Sequence, residues 1–160
     1  MEDTKLLRIY LQDHLAGSVA GYELAKRCES SNSDSRLGEY LRTFMDQLTE
    51  EQTVLEGLLD SIESQPDRLK QMAAWIAEKA GRLKLNGQVT GYSDLSRLLE
   101  LEGLCIGVEG KLSLWRSLKH ISGHDSRLAV TDLDSLIKQA AAQREELEMH
   151  RREAAARALV

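Results

Sequence analysis

The stretch from Arg36 to Glu63, RLGEYLRTFMDQLTEEQTVLEGLLDSIE, decides the fold of this chain. Leu37, Leu41, Phe44, Leu48, Leu55, Leu58 and Ile62 recur at alternating spacings of four and three, and Glu51 fills the one remaining place. An apolar residue every three to four positions marks one face of an α-helix. The regularity predicts a long helix whose leucine stripe packs on a neighbour. Glu51 is an ionisable residue inside that stripe, and an unpaired buried charge is costly, so it calls for a partner.

The segment before it supplies a candidate. Leu7, Leu11, His14, Ser18, Gly21, Ala25 and Cys28 form a second stripe, and the polar turn Ser30 to Ser35 separates the two. His14 and Glu51 lie equally far from Asn32 and Ser33. In an antiparallel hairpin they therefore fall at the same level.

Punctuation divides the rest of the chain. The first helix is expected from about Asp3 to Glu29, and the second from a cap at Asp34 to about Glu63. Pro66 suits the first residue of a third, shorter helix, which presents Leu69, Met72, Ala73, Ile76, Ala80 and Leu83 on one face before Asn86-Gly87 ends it. Gly91-Tyr92-Ser93 leads into a fourth helix that runs to about Ile121 and stops at Ser122-Gly123. Thr131 and Asp134 resemble a capping box for a fifth helix, with Leu133, Ile137, Ala140, Ala141, Arg144 and Leu147 inward. No stretch alternates as a strand does. The first, second and fourth helices are each about 40 Å long at 1.5 Å per residue, which implies an up-and-down bundle.

Composition narrows the function. At 160 residues the chain reads as one domain, 1–160, with enough length for a core of its own. Its formal charge is −5, with both signs interspersed, so no basic face offers itself to nucleic acid. No apolar run approaches the ~20 residues of a membrane span, and the acidic start Met1-Glu2-Asp3 lacks the features of a signal peptide. Cys28 and Cys105 show no metal or redox spacing and read as reduced thiols in a cytoplasmic protein. No phosphate-cradling glycine loop or activated nucleophile is present, so the chain is not expected to be an enzyme.

The fourth helix carries two faces. Leu98, Leu101, Cys105, Val108, Leu112 and Trp115 form one, and Gly103, Gly107 and Gly110 lie on the other with Leu99 and Ile106 beside them. With Gly17 and Gly21 on the first helix, these glycines are candidate points of close helix approach or an oligomer interface. Acids also accumulate near the interior. Glu102 and Glu109 flank Cys105, and Arg144 sits on the expected inward stripe of the last helix. Two readings follow. In the first, His14, Glu51, Glu109 and Arg144 form a buried polar layer that fixes register among similar helices. In the second, His14, Glu51, Glu102 and Glu109 ligate iron, manganese or zinc, since carboxylates and imidazole on facing helices build bundle metal sites.

The stretches Tyr10-Leu11-Gln12-Asp13-His14-Leu15-Ala16-Gly17 and Glu78-Lys79-Ala80-Gly81-Arg82-Leu83-Lys84-Leu85-Asn86-Gly87 resemble small bacterial proteins of the ferritin-like superfamily. That resemblance implies a ferritin-like bundle of four long helices plus one shorter one. The Glu-x-x-His pairs of the iron-oxidising members are absent: Val54 follows Glu51 at that offset, Leu112 follows Glu109 and Met149 follows Glu146. The expectation is thus an all-α, non-catalytic structural or interaction module without a cofactor. Its partner is a second copy or another protein, and the metal-binding reading stands as the alternative.

Overall fold

A computed structural model describes residues 2–62 and 91–160, together with the helical residues Ala74 and Glu78. Apart from those two positions, the expected third helix around Leu69 to Leu83 and its Asn86-Gly87 stop lie outside the described residues. Four long helices make up the rest: α1 (Glu2–Ser30), α2 (Arg36–Ile62), α3 (Asp94–Ile121) and α4 (Leu133–Leu159). No strand occurs among the described residues.

Helix α1 pairs with α2 and α3 pairs with α4, while α1 also lies against α3 and α2 against α4. The arrangement is a four-helix bundle in which adjacent helices run antiparallel. Its direction follows from two apolar clusters. One joins Leu11 and Leu15 of α1 to Leu58 and Ile62 of α2, Trp115 and Leu118 of α3, and Leu133 of α4. The other joins Cys28, Leu37, Leu41, Leu98, Leu101 and Ala154. Each leucine so enclosed contributes about 1.5–3 kcal/mol relative to exposure. Leu128, in the α3–α4 connection, seals the first cluster and is fully buried. Ile62 and Leu98 belong to opposite clusters, so α2 ends and α3 begins at opposite ends of the bundle.

The helix starts differ from the sequence reading in two places. Ser35, rather than Asp34, caps α2: its hydroxyl accepts the Gly38 N–H at 3.2 Å and donates to the Asn32 carbonyl at 2.6 Å. Asp132, rather than Thr131, caps α4 by accepting the Ser135 N–H at 3.0 Å. Both shifts put the cap oxygen three residues before the amide it satisfies. Ser93 and Ser96 form the reciprocal capping box of α3. The α1–α2 turn is tight at Gly38, where a Cβ would stand 2.3 Å from the Asn32 carbonyl oxygen, so only glycine lets α2 begin there.

Candidate functional site

The polar layer exists, and Glu51 is its centre, but its other members differ from those expected. Glu51 is 2 % exposed. Its Oε2 accepts from Lys111 Nζ at 2.6 Å, and its Oε1 accepts from Gln139 Nε2 at 2.8 Å and Gln143 Nε2 at 3.3 Å. Gln143 is fully used: its Oε1 accepts from Lys111, and its Nε2 also donates to Gln47 Oε1 at 2.7 Å. The Lys111 ammonium lies 5.4 Å from the centre of the Phe44 ring, close enough for a cation–π contribution. Burial pushes the Lys111 pKa down, and the adjacent Glu51 carboxylate opposes that shift. Three helices thus share one satisfied ionic centre, with α2 giving the acid, α3 the base and α4 the amides.

His14 is not part of it. The imidazole packs edge-on against Tyr10, with ring centres 4.7 Å apart, one turn before it on α1. Burial lowers its pKa, and the neighbouring Asp13 charge acts in the opposite direction. Glu109 and Arg144 do meet, at 3.2 Å, but on the surface between α3 and α4. The reason lies in α4, whose inward stripe is Leu133, Ala140, Gln143, Leu147, His150 and Ala154. Two polar residues occupy core places, which disguises the stripe and leaves Arg144 one position outside it. Glu102 lies 3.9 Å from Arg151, again at the surface. His14, Glu51, Glu102 and Glu109 therefore do not converge, and no group of three His, Cys, Asp or Glu among the described residues could hold a metal ion. The donor set does not fit iron, manganese or zinc, because its one deeply buried carboxylate already carries a lysine.

The glycines of α1 and α3 line one cavity. Tyr10 donates to Ser117 at 3.4 Å and Arg27 to Glu100 at 2.6 Å, and this register brings Gly17 opposite Gly110 and Gly21 to within one residue of the level of Gly107 across the α1–α3 seam. A Cβ on any of these four would meet nothing within 4 Å. Gly103 alone is crowded, its Cβ position lying 2.9 Å from Leu24 Cδ2. Within the chain, then, these glycines do not draw two backbones together. They leave a window instead. Behind it lies a cavity of about 310 Å³ that reaches Phe44, Leu48, Leu104 and Val108, with His14 and Lys111 on its wall. Just outside, on α3, Leu99 is 59 % and Ile106 74 % exposed. Both neighbour Gly103 at helical spacings of four and three.

A second polar centre sits where α3 begins beside the α1–α2 turn. Glu100 is buried, accepting from Arg27 at Oε1 and from the Tyr92 hydroxyl at Oε2, 3.0 Å away. Asn32 Nδ2 donates to Tyr92 Oη at 2.8 Å and to the Cys28 carbonyl at 2.7 Å, while its Oδ1 accepts from Arg97 Nε at 2.7 Å. Burial, reinforced by the charge of Glu100, pushes the Cys28 thiol up to about 12, which keeps it protonated near neutral pH. Cys105 is only partly buried, and its pKa is raised chiefly by burial. His120 and His124 are exposed, as is Glu23.

Sequence reasoning missed Lys111, Gln139, Gln143, His150 and Glu100. Lys111 was within reach, since it follows Leu104 by seven residues and precedes Trp115 by four. Glu100 was not, because only the start of α3 and the turn against it bury that side chain.

No protein-family model matches the chain, and no curated protein or solved structure does either. No helix among the described residues is long and apolar enough to cross a membrane.

Proposed function

We propose that this protein is a non-catalytic interaction module built on a ferritin-like scaffold, and that it pairs with a second copy of itself through the α1–α3 face. The scaffold reading is supported by two antiparallel hairpins, the first ending and the second beginning at opposite ends of the bundle, since ferritin-like folds have one long crossover connection. The carrying observation for the interaction is the glycine window with Leu99 and Ile106 exposed beside it. Exposed apolar residues grouped around an apolar cavity mark association surfaces rather than ordinary solvated helix. A projecting isoleucine and an apolar hole on one face suit a twofold interface, in which each copy fills the other. Two helices about 40 Å long and each about 10 Å wide present ~800 Å², the share a standard interface takes from each partner.

Sedimentation or light scattering across the micromolar range tests this. The full chain is expected to dimerise, and Leu99→Glu/Ile106→Glu to be monomeric with an unchanged helical spectrum. A wild-type chain that stays monomeric at the highest concentrations would overturn the reading.

A further inference from the structure

We infer that the bundle end beside the α1–α2 turn is a binding site for a phosphate-sized dianion, held between Arg36, Arg97, Arg157 and His150. This site lies apart from the α1–α3 face and does not depend on it. The four residues line one cavity of about 130 Å³ at the start of α2. A water in the liquid occupies about 30 Å³, so the space suits a group of four or five heavy atoms, with any larger substituent left in solvent.

The donors that remain unspent point to the ligand's charge. Asn32 and Ser35, also on the wall, are committed to Arg97, Tyr92, Cys28 and Gly38 as described above. Arg97 spends Nε on Asn32 and Nη1 on Asp94 at 2.8 Å, which fixes its guanidinium in place and leaves Nη2. Arg36 is exposed, and its Nη2 comes no closer than 3.9 Å to Glu146. Arg157 extends from the last turn of α4. Glu153 is the one carboxylate on the wall, set against three guanidinium groups. The first turn of α2 adds its dipole and the N–H groups of Arg36 and Leu37, which the Ser35 cap does not use.

His150 is the independent sign of a missing partner. It is 4 % exposed, it lines the cavity, and its Nε2 has no hydrogen-bond partner. The closest acid atom, Glu146 Oε1, is 3.7 Å away, beyond hydrogen-bond reach. A buried polar atom left unpaired costs about 1–3 kcal/mol, and native structures rarely keep one without a reason. In its Nε2–H tautomer the neutral ring supplies one donor to an oxygen of the anion. Guanidinium groups in a fork complete the coordination that phosphoryl oxygens favour.

The test is a titration of the full ¹⁵N-labelled chain at about pH 7.5, where a phosphomonoester is dianionic. One arm uses inorganic phosphate, one uses glycerol phosphate, and a third uses sodium chloride at matched ionic strength. Saturable shifts at the Arg36 and Leu37 amides and at Arg97 Nε–H are expected in at least one phosphate arm. Glycerol phosphate alone would identify an ester as the ligand, and equal response to both would identify the phosphoryl group itself. Arg36→Ala/Arg157→Ala should weaken binding about tenfold or more, the size of one lost charge-assisted hydrogen bond, and Arg36→Lys/Arg157→Lys should retain part of it. Both arginines are exposed, so helicity and melting should not change. Shifts that chloride reproduces, or an affinity unchanged in the alanine variant, would overturn the inference. So would a wild-type chain that shows no saturable shift.

Discussion

Glu51 and Glu100 are both buried carboxylates, and both are paired with a cation on another helix, yet they are built on different terms. Glu51 lies at mid-bundle against Lys111, whose side chain is only 11 % exposed, so the pair has little access to water. Glu100 lies near a bundle end against Arg27, which is 49 % exposed, and it shares a hydroxyl with the turn beside it. The first pair depends wholly on its protein partners. In the second, water stands ready to replace them. The energetic weight of a buried charge is thus set by how well its counter-ion can escape, which neither charge alone reveals.

Breaking the first pair should have the largest effect. Glu51→Ala leaves Lys111 buried without its counter-charge and is expected to cost about 3–5 kcal/mol in urea unfolding. Glu51→Leu/Lys111→Met should restore about half of that loss or more, because the ionic conflict is removed together with the ion pair. A double variant as unstable as the single would show that the glutamines, not the ion pair, dominate the layer. Glu100→Ala should cost less, about 1–2 kcal/mol, since Arg27 and the Tyr92 hydroxyl can turn to solvent. A loss equal to that of Glu51→Ala would remove the distinction between the two centres.

The smallest effect concerns the histidine beside each centre. His14 lines the mid-bundle cavity and His150 the one at the bundle end, and burial lowers both pKa values from 6.5. Below pH 6.5 the unfolded chain takes up these protons before the folded one. The stabilisation from neutral histidines is therefore complete above 6.5, and it is lost as the pH falls toward the lowered folded values. Melting temperatures measured from pH 7.5 down to 5 should decline, and His14→Gln or His150→Gln should each flatten the decline. An unchanged slope in both variants would assign the acid sensitivity to the carboxylates instead.

Much of the architecture was legible because it rests on local periodicity. The heptads of α2, the polar turn at Ser30 to Ser35, the stop at Ser122-Gly123 and the burial of Glu51 all follow from spacing and residue type. The site was legible only in outline. His14 stands at the level of Glu51, but equal height in a hairpin does not bring two side chains together, because each also turns about its own helix axis. Arg144 looked inward because an apolar stripe is traced most easily through leucine and alanine, while Gln143 and His150 occupy the true core places of α4. The glycines were recognised as special, yet spacing alone cannot tell a close approach from a window. Gly38, the glycine that a close approach does require, lies in a leucine heptad and draws no notice.

The sequence by itself determined an all-helical chain with long amphipathic helices, a buried acid that needs a partner, and an unusual glycine content on α1 and α3. These are properties of a single helix, fixed by the 3.6-residue period and by the cost of burying charge. Only the tertiary structure decided that Lys111 answers Glu51, that facing glycines open the α1–α3 seam, and that three arginines and a buried histidine line one cavity at the bundle end. Each of these depends on the rotation and register of one helix against another. Those are set by the summed packing of many side chains rather than by any local pattern.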